Sequence, residues 1–211
     1  DDEFYNTVTY MQDIWWRLGL SENPYTRVAN HYDNVLRKLN NIQILLELSR
    51  DDNRFVVSTY HAPCRYWDKK VMLMATILSL QNLQQFANRL PYIFGGDFNS
   101  KPDSDFYKLV TGIFNNIYDY PNPISNYFIK SDIKRVRSVM FEKHGKEPEF
   151  TCWSEMGFSS GKKSMEFKDT IDYIFVSDQW KVVNASLSPD ITASVPSSEH
   201  SSDHLMLLTT L

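Results

Sequence analysis

Hydrophobic and polar positions fall in blocks that predict both strands and helices. Arg54 to Tyr60 reads Arg-Phe-Val-Val-Ser-Thr-Tyr, β-branched and aromatic, the profile of a buried strand. Asp68 to Leu90 follows with apolar residues at Val71, Met74, Ile77, Leu78, Leu80, Leu83 and Phe86. Those spacings predict an amphipathic helix, ended by Pro91. Tyr92 to Phe94 predicts a short buried strand running into Gly95-Gly96-Asp97, and Asp103 to Leu109 a capped helix opened by acids. Residues 119–150, with Pro121 and Pro123, read mostly as loop. Thr170 to Val176 is a strong strand pattern, Lys181 to Leu187 a second, and Asp203 to Leu208 closes the chain as another. Residues 31–48 admit two readings: Val35 and Leu39 fit a helix, Ile42 to Leu48 a buried strand. Several strands with at least two helices give an α/β or α+β class. No repeat, heptad or linker interrupts the chain, so residues 1–211 read as one domain.

Composition narrows the class. Hydrophobic residues make up 42% of the 211, charged residues 23% and aromatics 14%, which is globular rather than disordered. Glycine numbers only 7, which argues against glycine-rich repeats and linkers. The longest apolar-rich stretch, Val71 to Leu80, is too short for a membrane span. Two cysteines, Cys64 and Cys152, cannot make a disulfide framework; they fit a reduced compartment or one optional bridge, and the expected location is intracellular, cytoplasmic or mitochondrial. The chain opens Asp-Asp-Glu, with neither Met nor signal peptide, as a processed or longer protein would.

The net charge of −4 is unevenly spread. Residues 1–33 carry six acids against Arg17 and Arg27, whereas residues 130–168 carry nine bases against six acids. A chain acidic overall can therefore present a basic face to a phosphate backbone, although solvated surface charge explains most such unevenness.

Candidate chemistry gathers where strands should end: Tyr60-His61-Ala62-Pro63, Gly96-Asp97-Phe98-Asn99, Ile171-Asp172-Tyr173 and Ser202-Asp203-His204. Singly, most have an ordinary explanation, a hydrogen-bonded histidine or a turn after Gly-Gly. Asp172 is harder to dismiss, because a carboxylate among Ile171, Tyr173, Ile174 and Phe175 is desolvated and needs a partner. Together the residues supply what phosphodiester hydrolysis requires. Carboxylates and an amide suit Mg²⁺; one histidine can face the phosphate, and a second, paired with a carboxylate, can act as base.

These four segments carry a family resemblance. Gly96-Asp97-Phe98-Asn99-Ser100-Lys101-Pro102-Asp103-Ser104 resembles the GDFN-x-x-P motif of the endonuclease/exonuclease/phosphatase superfamily. That group contains deoxyribonuclease I, abasic-site endonucleases and the CCR4/nocturnin-type deadenylases. His61-Ala62-Pro63, Thr170 to Phe175 and Ser202-Asp203-His204 resemble its histidine segment, its IDYIF strand and its C-terminal SDH, in the family's order. The well-matched part is 54–211; residues 1–50 match weakly. Asp-Phe-Asn-Ser-x-Pro-Asp-Ser with Tyr107, and Glu149 to Trp153, are most similar to the deadenylase branch.

The resemblance implies a four-layer α/β sandwich, two packed mixed sheets flanked by helices in the deoxyribonuclease I manner. It implies that Asp97 positions or deprotonates the attacking water and that Asn99 bonds phosphoryl oxygens. Asp203, with Asp97, binds or orients Mg²⁺, for which Mn²⁺ is an alternative. His204 and Asp172 form a His–carboxylate dyad, and His61 contacts the scissile phosphate. The family pattern also has an early Asn and a metal-binding Glu. Glu3, Glu22 and Glu47 are the glutamates preceding His61, and none has that context. The N-terminal half of the fold is therefore expected either to exist outside this sequence or to have been lost, and the remaining half-sheet to expose apolar surface that needs a partner or the missing segment.

Two readings of function follow. One is a Mg²⁺-dependent nuclease acting on RNA in preference to DNA, with 3′ trimming as one form. Lys134, Arg135, Arg137, Lys162 and Lys163 are then candidate backbone contacts, and Trp153 or Tyr66 a base-stacking surface. The other is a non-catalytic domain of the same fold, binding protein subunits in a larger, RNA-containing assembly. A phosphatase on lipid or small-molecule phosphates also fits the superfamily. Gly161-Lys162-Lys163-Ser164 has the wrong spacing for a phosphate loop. His200 and His204 have no cysteine near in sequence to complete a zinc site. The Asn184-Ala185-Ser186 sequon falls within a predicted strand.

Overall fold

A computed structural model describes residues 34–113, 133–156 and 165–211. Its centre is a five-stranded mixed sheet in the order β1-β2-β3-β7-β4. Strand β1 is Gln43–Arg50, β2 Asn53–Tyr60, β3 Tyr92–Asp97, β4 Arg137–Ser138 and β7 Asp172–Val176. Two antiparallel pairs stand apart from it: β5 (Cys152–Met156) with β6 (Met165–Asp169), and β8 (Asn184–Ser188) with β9 (Met206–Thr210). The helices lying wholly within the described residues are α1 (Lys69–Ala87), α2 (Asp105–Thr111) and α3 (Val139–His144), and residues 34–36 are also helical.

β1 and β2 form a hairpin whose turn residues Asp51 and Asp52 have φ of 50° and 66°, the backbone a two-residue hairpin loop demands. β2 and β3 are parallel, so the chain must cross over between them, and α1 is that crossover. Asp68 caps α1 by accepting from the Val71 N–H at 3.3 Å. The helix does not run to Pro91 as expected. It ends at Ala87, because Asn88 at φ 56° turns its N–H back onto the Gln84 and Gln85 carbonyls. In α2 the cap is Ser104 rather than Asp103: its hydroxyl accepts from the Tyr107 N–H at 3.3 Å.

The two sheet faces differ. Val56, Tyr60, Tyr92, Phe94, Tyr173 and Phe175 face one way and meet Ile77, Leu80 and Leu83 of α1 with Phe106 and Tyr107 of α2. Phe98 is central, with ring centroids 4.8 Å from Phe94, 5.3 Å from Phe106 and 5.4 Å from Phe175. On the other face, Ile93, Ile174 and Val176 meet Leu187 of β8 and Leu207 of β9. Strand register places Ile44, Leu46 and Leu48 of β1 on this second face. The β8–β9 pair does not cover them: all three are exposed. The strand expected over Ile42 to Leu48 is Gln43–Arg50, and among the described residues it is an edge strand with exposed apolar side chains on one face rather than a buried one.

Other boundaries also differ from expectation. Within 119–150, where the sequence reads as loop, the described part holds β4 and α3, capped by Ser138 and closed by Gly145 at φ 71°. The Thr170–Val176 pattern divides, with Thr170 and Ile171 between β6 and β7. The strand expected from Lys181 starts at Asn184, and the one expected from Asp203 starts at Met206. The β5–β6 pair carries no alternating pattern strong enough to announce it.

Candidate active site

The C-terminal ends of β2 and β3 and the N-terminal start of β7 lie together, because β3 runs parallel to β2 and antiparallel to β7. Asp97 and Asp172 are direct register partners across that edge. The approach of β3 to β2 is close: a Cβ on Gly96, at φ +145°, would lie 2.0 Å from the Tyr60 carbonyl oxygen. Only glycine fits there.

Backbone and amide bonds then lock the loops. The Ala62 N–H donates to the Asp97 carbonyl at 2.8 Å, and the Asn99 side-chain amide donates to the Ala62 carbonyl at 2.9 Å. The Asn41 amide donates to the His61 carbonyl at 2.7 Å. His61 Nε2 stands 3.4 Å from Asp97 Oδ2, its side chain 70% exposed at the rim. Asn99, expected to bond phosphoryl oxygens, thus also ties the two motif loops together.

Asp172 and His204 form the expected pair: His204 Nδ1 lies 2.9 and 3.0 Å from the two carboxylate oxygens. Fully buried Thr151 fixes the carboxylate. Its hydroxyl donates to Asp172 Oδ2 at 2.7 Å and accepts from the Ile171 and Asp172 N–H groups at 3.0 Å each. His204 is held in turn by an antiparallel bridge to Cys152, with Trp153 N–H on the Asp203 carbonyl and Leu205 N–H on the Thr151 carbonyl. Thr151, Cys152 and Asn41 were not among the residues expected to matter. The Thr-Cys-Trp segment was visible only as a similarity, and pairing across 52 residues shows in no local pattern.

Asp172 raises the His204 pKa to about 11, first through its hydrogen bond, with Cys152 next and burial opposing. The Asp172 contact thus favours the protonated imidazolium, the form in which His204 can serve as an acid or a fixed positive charge. Burial raises the Asp97 carboxyl pKa; Asp172 adds to this, while the Asn99 N–H and both histidines oppose it. One ligand atom each from Asp97, Asp172 and His204 lie within 4.8 Å of one another. A desolvated carboxylate beside a second one fits a hard divalent cation, which would relieve both. Asp203 falls in a different cluster, with Cys152 and His204.

The basic residues are elsewhere. Arg137 pairs with Val176, about 13 Å along β7 from Asp172. Its guanidinium is engaged by Glu142, Asp178 and the Ser177 and Trp180 carbonyls. Lys134 brackets the Gln84 amide near the C-terminal end of α1, and Arg135 lies over Gly112. All three sit at the end of the sheet away from the carboxylates. Trp153 has Lys168 Nζ 4.1 Å from its ring centroid and donates to Glu166, so one face is already taken. Lys162 and Lys163 lie outside the described residues. Beside His61, by contrast, Tyr66 and Trp67 are exposed in an edge-to-face pair 5.0 Å apart. A groove of about 390 Å³ runs there, lined by Lys38, Asn41, His61, Arg65 and Trp67 among others.

The sequence pattern of the Endonuclease/Exonuclease/phosphatase family matches residues 8–204. The chain belongs to that family. Its members are hydrolases of phosphodiester bonds and generally depend on a divalent metal. The chain is similar to the CCR4-Not complex 3'-5'-exoribonuclease subunit Ccr4 of Yarrowia lipolytica, 27% identical over 232 residues, covering 90% of this chain and 30% of that protein. Among solved structures it is similar to ANGEL2, a 2',3'-cyclic phosphatase, in complex with adenosine-2',3'-vanadate, at 17% identity and a TM-score of 0.54, covering 82% of this chain and 62% of that one. It is also similar to D. rerio TDP2 complexed with single strand DNA product, at 14% identity and a TM-score of 0.52, covering 82% and 63%. These likenesses show the deoxyribonuclease I-like α/β fold. The chain spans less than a third of the curated relative and under two thirds of either structure. No described helix is long and apolar enough to cross a membrane.

Proposed function

We propose that this chain hydrolyses phosphodiester bonds in single-stranded nucleic acid, RNA in preference to DNA, with Mg²⁺ as its cation. The observation that carries this reading is the convergence of Asp97, Asp172 and His204 at one sheet edge with His61 at the rim. Asp97, whose proton affinity burial has raised, orients the attacking water and takes its proton. The His204 imidazolium, held by Asp172, offsets negative charge on the phosphoryl oxygens, and His61 meets the phosphate from the exposed side. Asp97 and Asp172 would hold Mg²⁺, which supplies further polarisation of those oxygens when bound. Tyr66 and Trp67 offer stacking faces for unpaired bases, a mode that suits single strands. The exoribonuclease similarity supports RNA as substrate.

The test is hydrolysis of end-labelled single-stranded RNA and DNA by the full-length protein across a Mg²⁺ titration. EDTA and Asp97→Ala serve as controls. Metal-dependent cleavage lost in the variant supports the nuclease, and the product ladder separates trimming from internal cutting. The open apolar face of β1 favours a second reading, a non-catalytic interaction domain. Folded protein that cleaves neither substrate would replace the nuclease with it.

A further inference from the structure

Among the described residues a second cluster shares only His204 with the proposed hydrolysis: Cys152, Asp203 and one ring nitrogen of His204, with ligand atoms within 4.8 Å of one another. Its frame is built by the backbone. Trp153 N–H bonds the Asp203 carbonyl at 3.1 Å and Leu205 N–H the Thr151 carbonyl at 2.7 Å. Cys152 and His204 are thereby a non-hydrogen-bonded cross-strand pair. In that arrangement the two side chains share one face at the closest spacing a sheet allows. Cys152 is only 3% exposed, whereas Asp203 and His204 are partly exposed and leave a path for an ion. The contact of His204 Nδ1 with both Asp172 oxygens is the carboxylate–histidine arrangement that orients metal-binding imidazoles.

We propose that Cys152, Asp203 and His204 form a second cation site, selective for a borderline-soft divalent ion of the zinc class. A thiolate, an imidazole and a carboxylate make a donor set for Zn²⁺ and a poor one for Mg²⁺, which prefers oxygen alone. The Asp97–Asp172 carboxylates make the opposite choice. Binding replaces the Cys152 thiol proton and the proton on the ligating His204 nitrogen with bonds to the metal. Both protons go to solvent, and nothing is oxidised or reduced. Because His204 belongs to both clusters, zinc bound to its ring competes with the place it takes beside the phosphate. The site is therefore inhibitory wherever hydrolysis occurs; the binding claim itself does not rest on hydrolysis.

The experiment uses Cd²⁺, whose thiolate complexes absorb in the near ultraviolet, titrated into the full chain. Cys64, exposed on the loop after β2, is removed by Cys64→Ser so that one thiol reports. The expected result is a charge-transfer band saturating at one equivalent and surviving a hundredfold excess of Mg²⁺. It is lost in Cys152→Ser and Cys152→Ala, and shifted at least tenfold to higher Cd²⁺ in Asp203→Asn. Circular dichroism confirms that each variant is folded. A band unchanged by Asp203→Asn would mean an isolated thiol and overturn the site, as would a band that Mg²⁺ displaces or that survives loss of Cys152. No band in the folded Cys64→Ser protein would overturn it outright.

Discussion

Thr151→Val removes one buried hydroxyl and keeps the side-chain volume, so it isolates a single structural device. That hydroxyl accepts the Ile171 and Asp172 N–H groups at 3.0 Å and donates to Asp172 Oδ2 at 2.7 Å. The two N–H groups have no other evident recourse. Phe98 N–H bonds the Ile171 carbonyl, which makes Asp97 and Asp172 a non-hydrogen-bonded pair, with the Asp172 N–H turned away from β3. Two buried donors left unsatisfied at roughly 1–3 kcal/mol each, less a small gain from the added methyl, give a loss of about 3 kcal/mol. At about 2 kcal/mol per molar urea, the unfolding midpoint falls by about 1.5 M. Thr151→Ser keeps the hydroxyl and loses one buried methyl, so its loss is nearer 1 kcal/mol, or about 0.5 M. Urea unfolding followed by tryptophan fluorescence measures both. A valine variant within about 0.5 M of the parent, or a serine variant as unstable as valine, would refute the reasoning. RNA hydrolysis in the valine variant should also fall at least tenfold, because the carboxylate orienting His204 loses its anchor.

Asp97→Asn should abolish Mg²⁺-dependent hydrolysis while the thermal midpoint stays level or rises, since burial makes the ionised carboxylate costly; a drop in midpoint together with lost activity would contradict this. Gly96→Ala puts a methyl 2.0 Å from the Tyr60 carbonyl oxygen and should cost more than about 3 kcal/mol, read as loss of soluble, cooperatively unfolding protein. Glu147, which accepts from Tyr107 at 2.5 Å, has its carboxyl pKa raised, chiefly by burial. A raised acid binds its proton more tightly when folded, so its stabilising effect is present below the unfolded value, about 4.3, and is lost as pH rises through the folded one. The thermal midpoint of Glu147→Gln relative to the parent should therefore climb between pH 4 and pH 7; a flat or falling difference would count against that burial.

Much of the site was legible because its residues are local and punctuated. Gly-Gly-Asp-Phe-Asn after an apolar run, His61 after Tyr60, and Asp172 within Ile-Asp-Tyr-Ile-Phe each declare a strand end and a polar group that needs a partner. The family follows from the same segments. The α1 crossover was readable from its 3.6-residue period, and its early end at Asn88 was not, because a positive φ at Asn competes with the more visible Pro91. Three features belonged to tertiary structure alone. Thr151 and Cys152 reach the site through pairing with Asp203-His204-Leu205 about fifty residues away, and no local period records such a partner. The protonation of His204 depends on how Asp172, Cys152 and burial surround it, which composition does not contain. The basic run at 134–137 looked like a nucleic-acid contact by charge. The fold sends it to the far end of the sheet, where Arg137 is occupied by Glu142, Asp178 and backbone carbonyls. Residue type along the chain therefore determines which chemistry is available, and the long-range pairing of strands determines which of it meets.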